Sequence, residues 1–508
     1  MNISALRKTA AAALLFGLAL VNLSCSGGGT PPAPVGTTSG HAYVFIADAP
    51  PAGTTILTFE ITLSDATLCP TVSATGECQG SPQVSLLSAP VDIELSQLQL
   101  QPAFLSLKSI EARTYAGVKL TFANPVLKFL AADGSVQVLE APTTLPLSLA
   151  TVTPTFASAL SVTADSNVGF LVDFNLRDSI QSSGTTITGI SPVVTLVKLS
   201  ATSQQTIEEL KDTSGKVSNL TKTCPTGSFT LTDSLTGLAL ANIGFDSTTD
   251  LEGLSCDTLA NDQIVEADVE LRLPAAQTAE FFAKGIELVN SPGGETMQGV
   301  VVQVKNSATE FVLLVQQEEN LSSVPNGSFV TVTADPTNVQ FAIDAGNLSV
   351  GSLTFATGAD LLAGQTLEVN VTSGSMVVAP TGCATIADGC TASADTLTLK
   401  KGTFTAQVTA TSDPNFTLGT LPSLFGTASG VFRPLSADCQ SCAITSVQVT
   451  TSSATEFADE LTGVSGLVVN DTVTVRGLLL KNSFTGPGPI SPSFPPLLVA
   501  GRVRRQTS

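Results

Sequence analysis

Cys25 carries the most specific chemistry in this chain. It follows a short apolar stretch, Thr9 to Val21, that begins just after Arg7-Lys8, and it precedes Ser26-Gly27-Gly28-Gly29. A charged start, an apolar run and a small residue before a cysteine read as a bacterial lipoprotein signal, with cleavage after Ser24. The thiol would take a thioether-linked diacylglycerol and the new amino terminus a third acyl chain, holding the mature chain on a membrane surface by acyl burial. One departure stands out: Asn22 occupies the position where the usual pattern has Leu. An ordinary cleaved secretory signal or an uncleaved anchor are the alternatives. The apolar run is too short for a normal transmembrane helix, and no later stretch approaches the roughly 18 apolar residues that a span requires. Ser26, where Asp is associated with inner-membrane retention, favours the outer membrane of a cell that has two.

Eight of the nine cysteines remain after Cys25. They fall into local pairs: Cys69 with Cys78, Cys224 with Cys256, Cys383 with Cys390, and Cys439 with Cys442. An even number at short spacings predicts disulfides and an oxidising, extracytoplasmic compartment. The two-residue spacer of Cys439-Gln440-Ser441-Cys442 also occurs in thiol oxidoreductases, where a helix amino terminus activates the thiol. Here Pro434-Leu435-Ser436-Ala437-Asp438 before it and Ala443-Ile444-Thr445 after it read as a turn into a strand, so a structural bridge is expected.

Catalytic constellations are scarce. His41 is the one histidine, so any triad or multi-histidine metal site would have to use it. It stands at the start of an expected strand beside a flexible tether. Carboxylate pairs can hydrolyse glycosides without histidine, but none stands out among the 42 acidic residues. Calcium is the more serious metal, and the best cluster runs Asp246-Ser247-Thr248-Thr249-Asp250-Leu251-Glu252-Gly253. Asp246, Asp250 and Glu252 would be its ligands, yet the spacing does not match the usual acidic calcium loop and reads as a turn. No cofactor and no enzyme activity are therefore expected.

These residues must be positioned by strands. Tyr43-Val44-Phe45-Ile46, Phe59 to Leu63, Val118 to Phe122 and Val473-Thr474-Val475 alternate with a period of two and are rich in β-branched residues. Helical spacing is confined to the signal peptide and to short candidates at Ile207-Glu208-Glu209-Leu210 and near Ala275 to Lys284. The fold class is all-β. A net charge of −20 with only 13% charged residues implies a surface of Ser, Thr, Asn and Gln that repels nucleic acid and anionic lipid. Two Tyr and no Trp leave few stacking platforms for bases or sugars.

Residues 1–24 are read as the signal and 25–39 as the lipidated Cys25 with a Gly/Pro/Ser/Thr tether. A β-sandwich-like domain is expected over 40–200. Its opening, GHAYVFIADAP at 40–50, and its later blocks VDIELSQLQ (92–100), IEARTYAGVKLTF (110–122), GFLVDFNLRDSI (169–180) and GISPVVTLVKL (189–199) resemble the bacterial domain-of-unknown-function family numbered 4382. That resemblance implies an extracytoplasmic β module without established catalytic residues.

The remainder repeats, which predicts three small β-barrels or sandwiches over 215–290, 297–400 and 401–508. The first phrase is Gly215 to Val217, Gly299 to Val301 and Gly402 to Phe404. Phe229, Phe311 and Phe416 then head Phe-Thr/Val-Leu phrases. Asn261-Asp262-Gln263-Ile264, Gly364-Gln365-Thr366-Leu367 and Asn470-Asp471-Thr472-Val473 pair a turn with a strand. Ala283 to Ile286, Ala394 to Leu397 and Ala500 to Val503 close the units. A longer interval before the turn predicts an extra hairpin in the second and third units. The pattern resembles the domain-of-unknown-function family numbered 5666, whose Thr-x-Phe phrase is matched by Thr455-Glu456-Phe457, with Thr249-Asp250-Leu251 and Thr354-Phe355 as weaker counterparts. Small barrels of related shape bind oligonucleotides or oligosaccharides. The expectation is a non-catalytic, lipid-anchored cell-envelope protein, periplasmic or surface-facing, that binds or scaffolds an envelope protein or glycan. A carboxylate- or metal-dependent enzyme and a plain spacer are the rivals.

Overall fold

The computed structural model describes residues 39–49, 55–98, 103–130, 136–140, 151–199, 207–232, 239–272, 280–288, 294–421, 446–482 and 495–505, less positions 165, 184–185, 253, 306–308, 322, 347, 381, 420 and 459–460. Cys25, the tether, Cys439 and Cys442 lie outside them. Strand is the dominant structure of the described residues, as the period-two patterning requires, and their one α-helical turn is Leu176–Ser179.

In the N-terminal domain the strands lie in the order Val84–Ser85, Thr55–Cys69, Thr114–Leu130, Thr155–Ser161, Val194–Leu199, Asn167–Asn175, Ser39–Ala49 and Ala103–Glu111. Thr155–Ser161 pairs antiparallel with Thr114–Leu130 and touches Val194–Leu199 at Phe156 and Leu196, so it joins two halves whose inner faces meet. Between them Phe59 and Phe122 set their rings edge-on to Phe174, at 6.2 and 5.3 Å, and Phe156 does the same to Phe170 at 5.3 Å. Such pairs add to the area that each ring buries.

Three six-stranded units follow. The first is Ile207–Thr223, Thr226–Thr232, Ala239–Phe245, Asp250–Glu252, Ile264–Arg272 and Glu280–Leu288. The second is Glu295–Val304, Glu310–Glu319, Phe329–Thr333, Gln340–Ile343, Thr366–Val371 and Thr391–Lys400. The third is Gly402–Ser412, Asn415–Gly419, Ser446–Thr450, Glu456–Ala458, Thr472–Leu480 and Leu497–Arg505. In each, the strand order is third, second, first, fifth, sixth, and the sixth closes in parallel on the third. The short fourth strand pairs in parallel further along the sixth. Without that short strand, this is the five-stranded Greek-key barrel of the oligonucleotide/oligosaccharide-binding arrangement.

The turn before the fifth strand shows why a sequence phrase recurs. Asp262, Gly364 and Asn470 all take positive φ, which Asp, Gly and Asn tolerate. The next side chain reaches back three residues: Gln263 Oε1 accepts from Ala260 N–H, Gln365 Oε1 from Leu362 N–H, and Asp471 Oδ2 from Val468 N–H.

Several expectations need correction. All three units have the same six strands among the described residues, and the longer second unit contains no extra hairpin; in the third, residues 422–445 of the longer interval lie outside the described residues. In the second, the added length is turns and 3-10 segments such as Gly358–Asp360 and Ile386–Asp388. Gly402 to Phe404 is not the counterpart of Gly215 to Val217. Val217, Val301 and Val408 each exchange backbone hydrogen bonds with the equivalent turn, which makes Ala406 to Val408 the matching phrase. Thr354-Phe355 is likewise displaced, because Phe341 pairs with Leu397 as Leu251 pairs with Ile286 and Phe457 with Val503. Ile207 to Leu210 is strand, not helix: two register shifts against Ile264–Arg272 set Ile207 opposite Leu271 and Leu210 opposite Val269, so a bulge mimics helical spacing. Glu280 to Lys284 is also strand.

The units pack on one another. Val302, Val312, Leu314 and Phe329 of the second barrel share a core with Leu57 of the N-terminal domain and with the third barrel. Leu478, Leu480 and Val499 of the third barrel join the core of the second. Gln365, fully buried, donates across that joint to the Leu479 carbonyl at 3.0 Å. Leu171 and Leu199 of the N-terminal domain pack against the first barrel's core.

Candidate functional site

In barrels of this order, the face of the second and third strands is where ligands commonly sit. The register places Thr230, Val312 and Thr417 at one equivalent outward position of the second strand, and their cross-strand partners Asn242, Thr331 and Gln448 on the third. On the first strand Ser218, Val302 and Thr409 correspond. In the second barrel two of the three, Val302 and Val312, are apolar and fully buried in the core shared with Leu57 and the third barrel, while Thr331 is half-buried. That face of the second barrel is packed into an interface.

The first and third barrels keep a hydrogen-bonding face. In the first, Asn219 Nδ2 donates to Thr230 Oγ1 (3.4 Å), Thr230 Oγ1 donates to Asn242 Oδ1 (2.8 Å), and the Thr221 and Ser228 hydroxyls meet at 3.0 Å. In the third, Gln407, Thr409 and Thr411 are exposed beside half-buried Thr417, Gln448 and Thr450. Lys216 is a charge at the margin of the first face, paired with Asp262 at 2.6 Å. Hydroxyl and amide groups both donate and accept, so these faces suit a neutral, hydrogen-bonding partner.

Two buried charge clusters lie at joints. Lys400 Nζ, at the end of the second barrel's last strand, is surrounded by Glu287 (2.8 Å), Asp344 (3.3 Å), Glu368 (3.4 Å) and Glu266 (3.6 Å). Glu266 and Glu287 belong to the first barrel and face each other in register. Burial alone would lower the Lys400 pKa, but Glu368, Glu266, Asp344 and Glu287 outweigh it and hold it above the ordinary lysine value. Burial raises the Glu287 pKa, with Lys400 pulling the other way and Asp344 and Glu368 adding to the rise.

The second cluster is in the N-terminal domain. Glu94 Oε1 accepts the Phe59 N–H at 2.8 Å and the N–H and hydroxyl of Ser96. Its Oε2 is sealed from solvent with no hydrogen-bond partner. Burial pushes the Glu94 pKa up to about 7, against the lowering effect of those bonds. Lys128, 7% exposed, has its pKa lowered by burial, with Glu140, Glu60 and Glu94 opposing. A perturbed acid beside a buried lysine has the hallmarks of catalytic chemistry. The free Glu94 oxygen is closed to any substrate, however, so the geometry supports a structural or regulatory role.

The sequence candidates scatter. Cys69–Cys78, Cys224–Cys256 and Cys383–Cys390 form disulfides. Lys222 Nζ donates to the Cys256, Asp257 and Leu259 carbonyls beside the second of these, tying down the same loop. Asp246 Oδ1 is engaged by the N–H and hydroxyl of Thr248, while Asp250 and Glu252 bound the short strand on Glu280–Leu288. Asp335 caps Thr337 in the same way in the second barrel, so Asp246 has a turn-forming role in this geometry. Among the described residues no His, Cys, Asp and Glu group of three or more is arranged to hold a metal ion. His41 pairs through its backbone with Asn167 and Ser109 on a central strand. No described helix is long and apolar enough to cross a membrane. The polar faces and the lysine clusters escaped sequence reasoning. The faces had one signal, Thr against Val at the position after the repeated Phe.

No protein-family model matches the chain, and no curated protein matches it.

Proposed function

We propose that this is a lipid-anchored cell-envelope protein that binds or scaffolds through the polar faces of its first and third barrels. The observation that carries the reading is the contrast at equivalent positions of the first and second strands: Val302 and Val312 are used for packing, whereas Ser218 and Thr230, and Thr409 and Thr417, keep a hydrogen-bonding surface. The Cys25 signal and the tether supply the address, and the three disulfides fit an oxidising compartment. Surface acidity disfavours nucleic acid as partner and favours an envelope protein or neutral glycan. Barrels that share cores favour a rigid binding body over an extended spacer.

The test is in-cell cross-linking of the tagged protein in its native envelope, comparing wild type with Thr230→Arg plus Gln448→Arg. Loss of a specific protein or glycan partner in the variant supports the reading, and an unchanged capture profile refutes it. Cys25→Ser is expected to release the protein from the membrane fraction, and persistent attachment rules out the lipid.

A further inference from the structure

We propose that the seam between the first barrel and the other two is a salt-sensitive joint, which opens while the rest of the molecule stays together. The four units form a closed ring of contacts. Leu171 and Leu199 of the N-terminal domain pack on the first barrel's core. Leu57 of the same domain enters the core shared by the second and third barrels, and Lys128 Nζ beside it donates to the Gly327 carbonyl of the second at 2.6 Å. Leu478, Leu480 and Val499 of the third barrel lie in the core of the second. All three of these joints bury apolar side chains. At the remaining seam, among the described residues, no side chain of the second or third barrel enters the first barrel's core.

Ion pairs cross that seam instead. Lys400 of the second barrel meets Glu287 and Glu266 of the first at 2.8 and 3.6 Å. Further along the same two strands of the first barrel, Lys284 Nζ lies 3.0 Å from Glu456 of the third barrel and 3.9 Å from Glu270 of its own. The register shows how the seam came to be ionic. Just past a bulge, Leu478 pairs with Val499 in the third barrel and Glu270 with Phe282 in the first. A carboxylate therefore stands in the first barrel where the third has a leucine packed into its neighbour.

An ionic seam holds less firmly than an apolar one. Taking charges out of water offsets much of their attraction, and a pair that stays partly exposed contributes little. Salt weakens it further, because the screening length falls from about 10 Å at 0.1 M to about 3 Å at 1 M. The Lys284 and Glu456 side chains are 26% and 52% exposed, so they are screened first, whereas Lys400, 8% exposed, is reached only as the seam opens. Residues 289–294 still join the first barrel to the second, so opening is a swing and not a separation. The first and third barrels carry the two hydrogen-bonding faces, and opening changes the spacing between them. The seam itself does not depend on what those faces bind.

Lysine acetylation of the full-length protein tests this, read residue by residue by mass spectrometry and normalised to a model lysine amide in the same solution. Lys400 labelling should rise about two- to fivefold between 0.05 and 1 M sodium chloride, the range set by losing one exposed ion pair, while Lys128 in the apolar joint stays constant. At 0.05 M, Lys284→Met and Glu456→Gln should each raise Lys400 labelling by a similar factor, and the double variant no further than either. Lys400 labelling that ignores salt, or that neither variant changes, would overturn the proposal. A rise at Lys128 in step with Lys400 would do so too, since the whole molecule would then be loosening.

Discussion

Lys400 of the second barrel and Glu287 of the first stand 2.8 Å apart, and this contact makes the two barrels electrostatically dependent on each other. Three more carboxylates crowd the same ammonium, which is 8% exposed. Four carboxylates thus converge on one ammonium.

Lys400→Met should therefore destabilise the protein by about 3 kcal/mol at neutral pH, because it takes the ammonium away from four mutually repelling carboxylates in a poorly solvated site. The defect should shrink as the pH falls and Glu287, whose pKa burial raises, protonates. Urea unfolding at pH 7 and pH 4.5 measures both effects. A defect of equal size at the two pH values would mean that packing of the lysine stem matters more than its charge.

Glu94→Gln should act in the opposite direction. Its folded pKa is raised to about 7 from 4.5, so its contribution is full below 4.5 and is lost as pH rises towards 7. A glutamine keeps an acceptor for the Phe59 and Ser96 groups without the ionisable proton. The variant should gain on the order of 3 kcal/mol over wild type at pH 8 and little at pH 4. Thermal melts across that range decide it, and a uniform shift at all pH values would point to altered hydrogen bonding instead.

The contrast between faces yields a matched pair of isosteric changes. Val312 is fully buried, so Val312→Thr places a hydroxyl in an apolar core and should cost about 1–3 kcal/mol. Thr417→Val, at the equivalent half-buried position of the third barrel, should lie within about 0.5 kcal/mol of wild type. Denaturant midpoints of the two variants give the comparison.

Much of this architecture was legible in strand patterning and in the repeat. Phe229, Phe311 and Phe416 marked the second strands, and Ala283, Ala394 and Ala500 the sixth. The Gly402 phrase misled because the determinant of equivalence is the hydrogen bonding of Val217, Val301 and Val408 to the turn, and Gly402 lies earlier on the same strand. Thr354-Phe355 resembled a motif by type alone, whereas Phe341 holds the position without the Thr, Val339 preceding it on the chain. Lys400 and Lys128 could not be picked out at all. Their partners are gathered from distant strands, such as Glu266 with Asp344 and Glu60 with Gly327, and only the packing of units brings these together.

The disulfides should contribute unequally. Cys224–Cys256 closes a loop with a sequence separation of 32, and Cys383–Cys390 one of 7. In the chain-entropy account a longer loop removes more freedom from the unfolded chain, giving about 3.5 kcal/mol against roughly 2.5 kcal/mol. Replacing both members of one pair with Ser, and comparing unfolding midpoints, should therefore show the larger loss for Cys224 and Cys256. Lys222 modifies that expectation: by holding the Cys256, Asp257 and Leu259 carbonyls it keeps the loop in place without the bridge. Lys222→Met combined with the serine pair should then lose more than the two changes add up to separately. Simple additivity would show that the lysine and the disulfide support the loop independently.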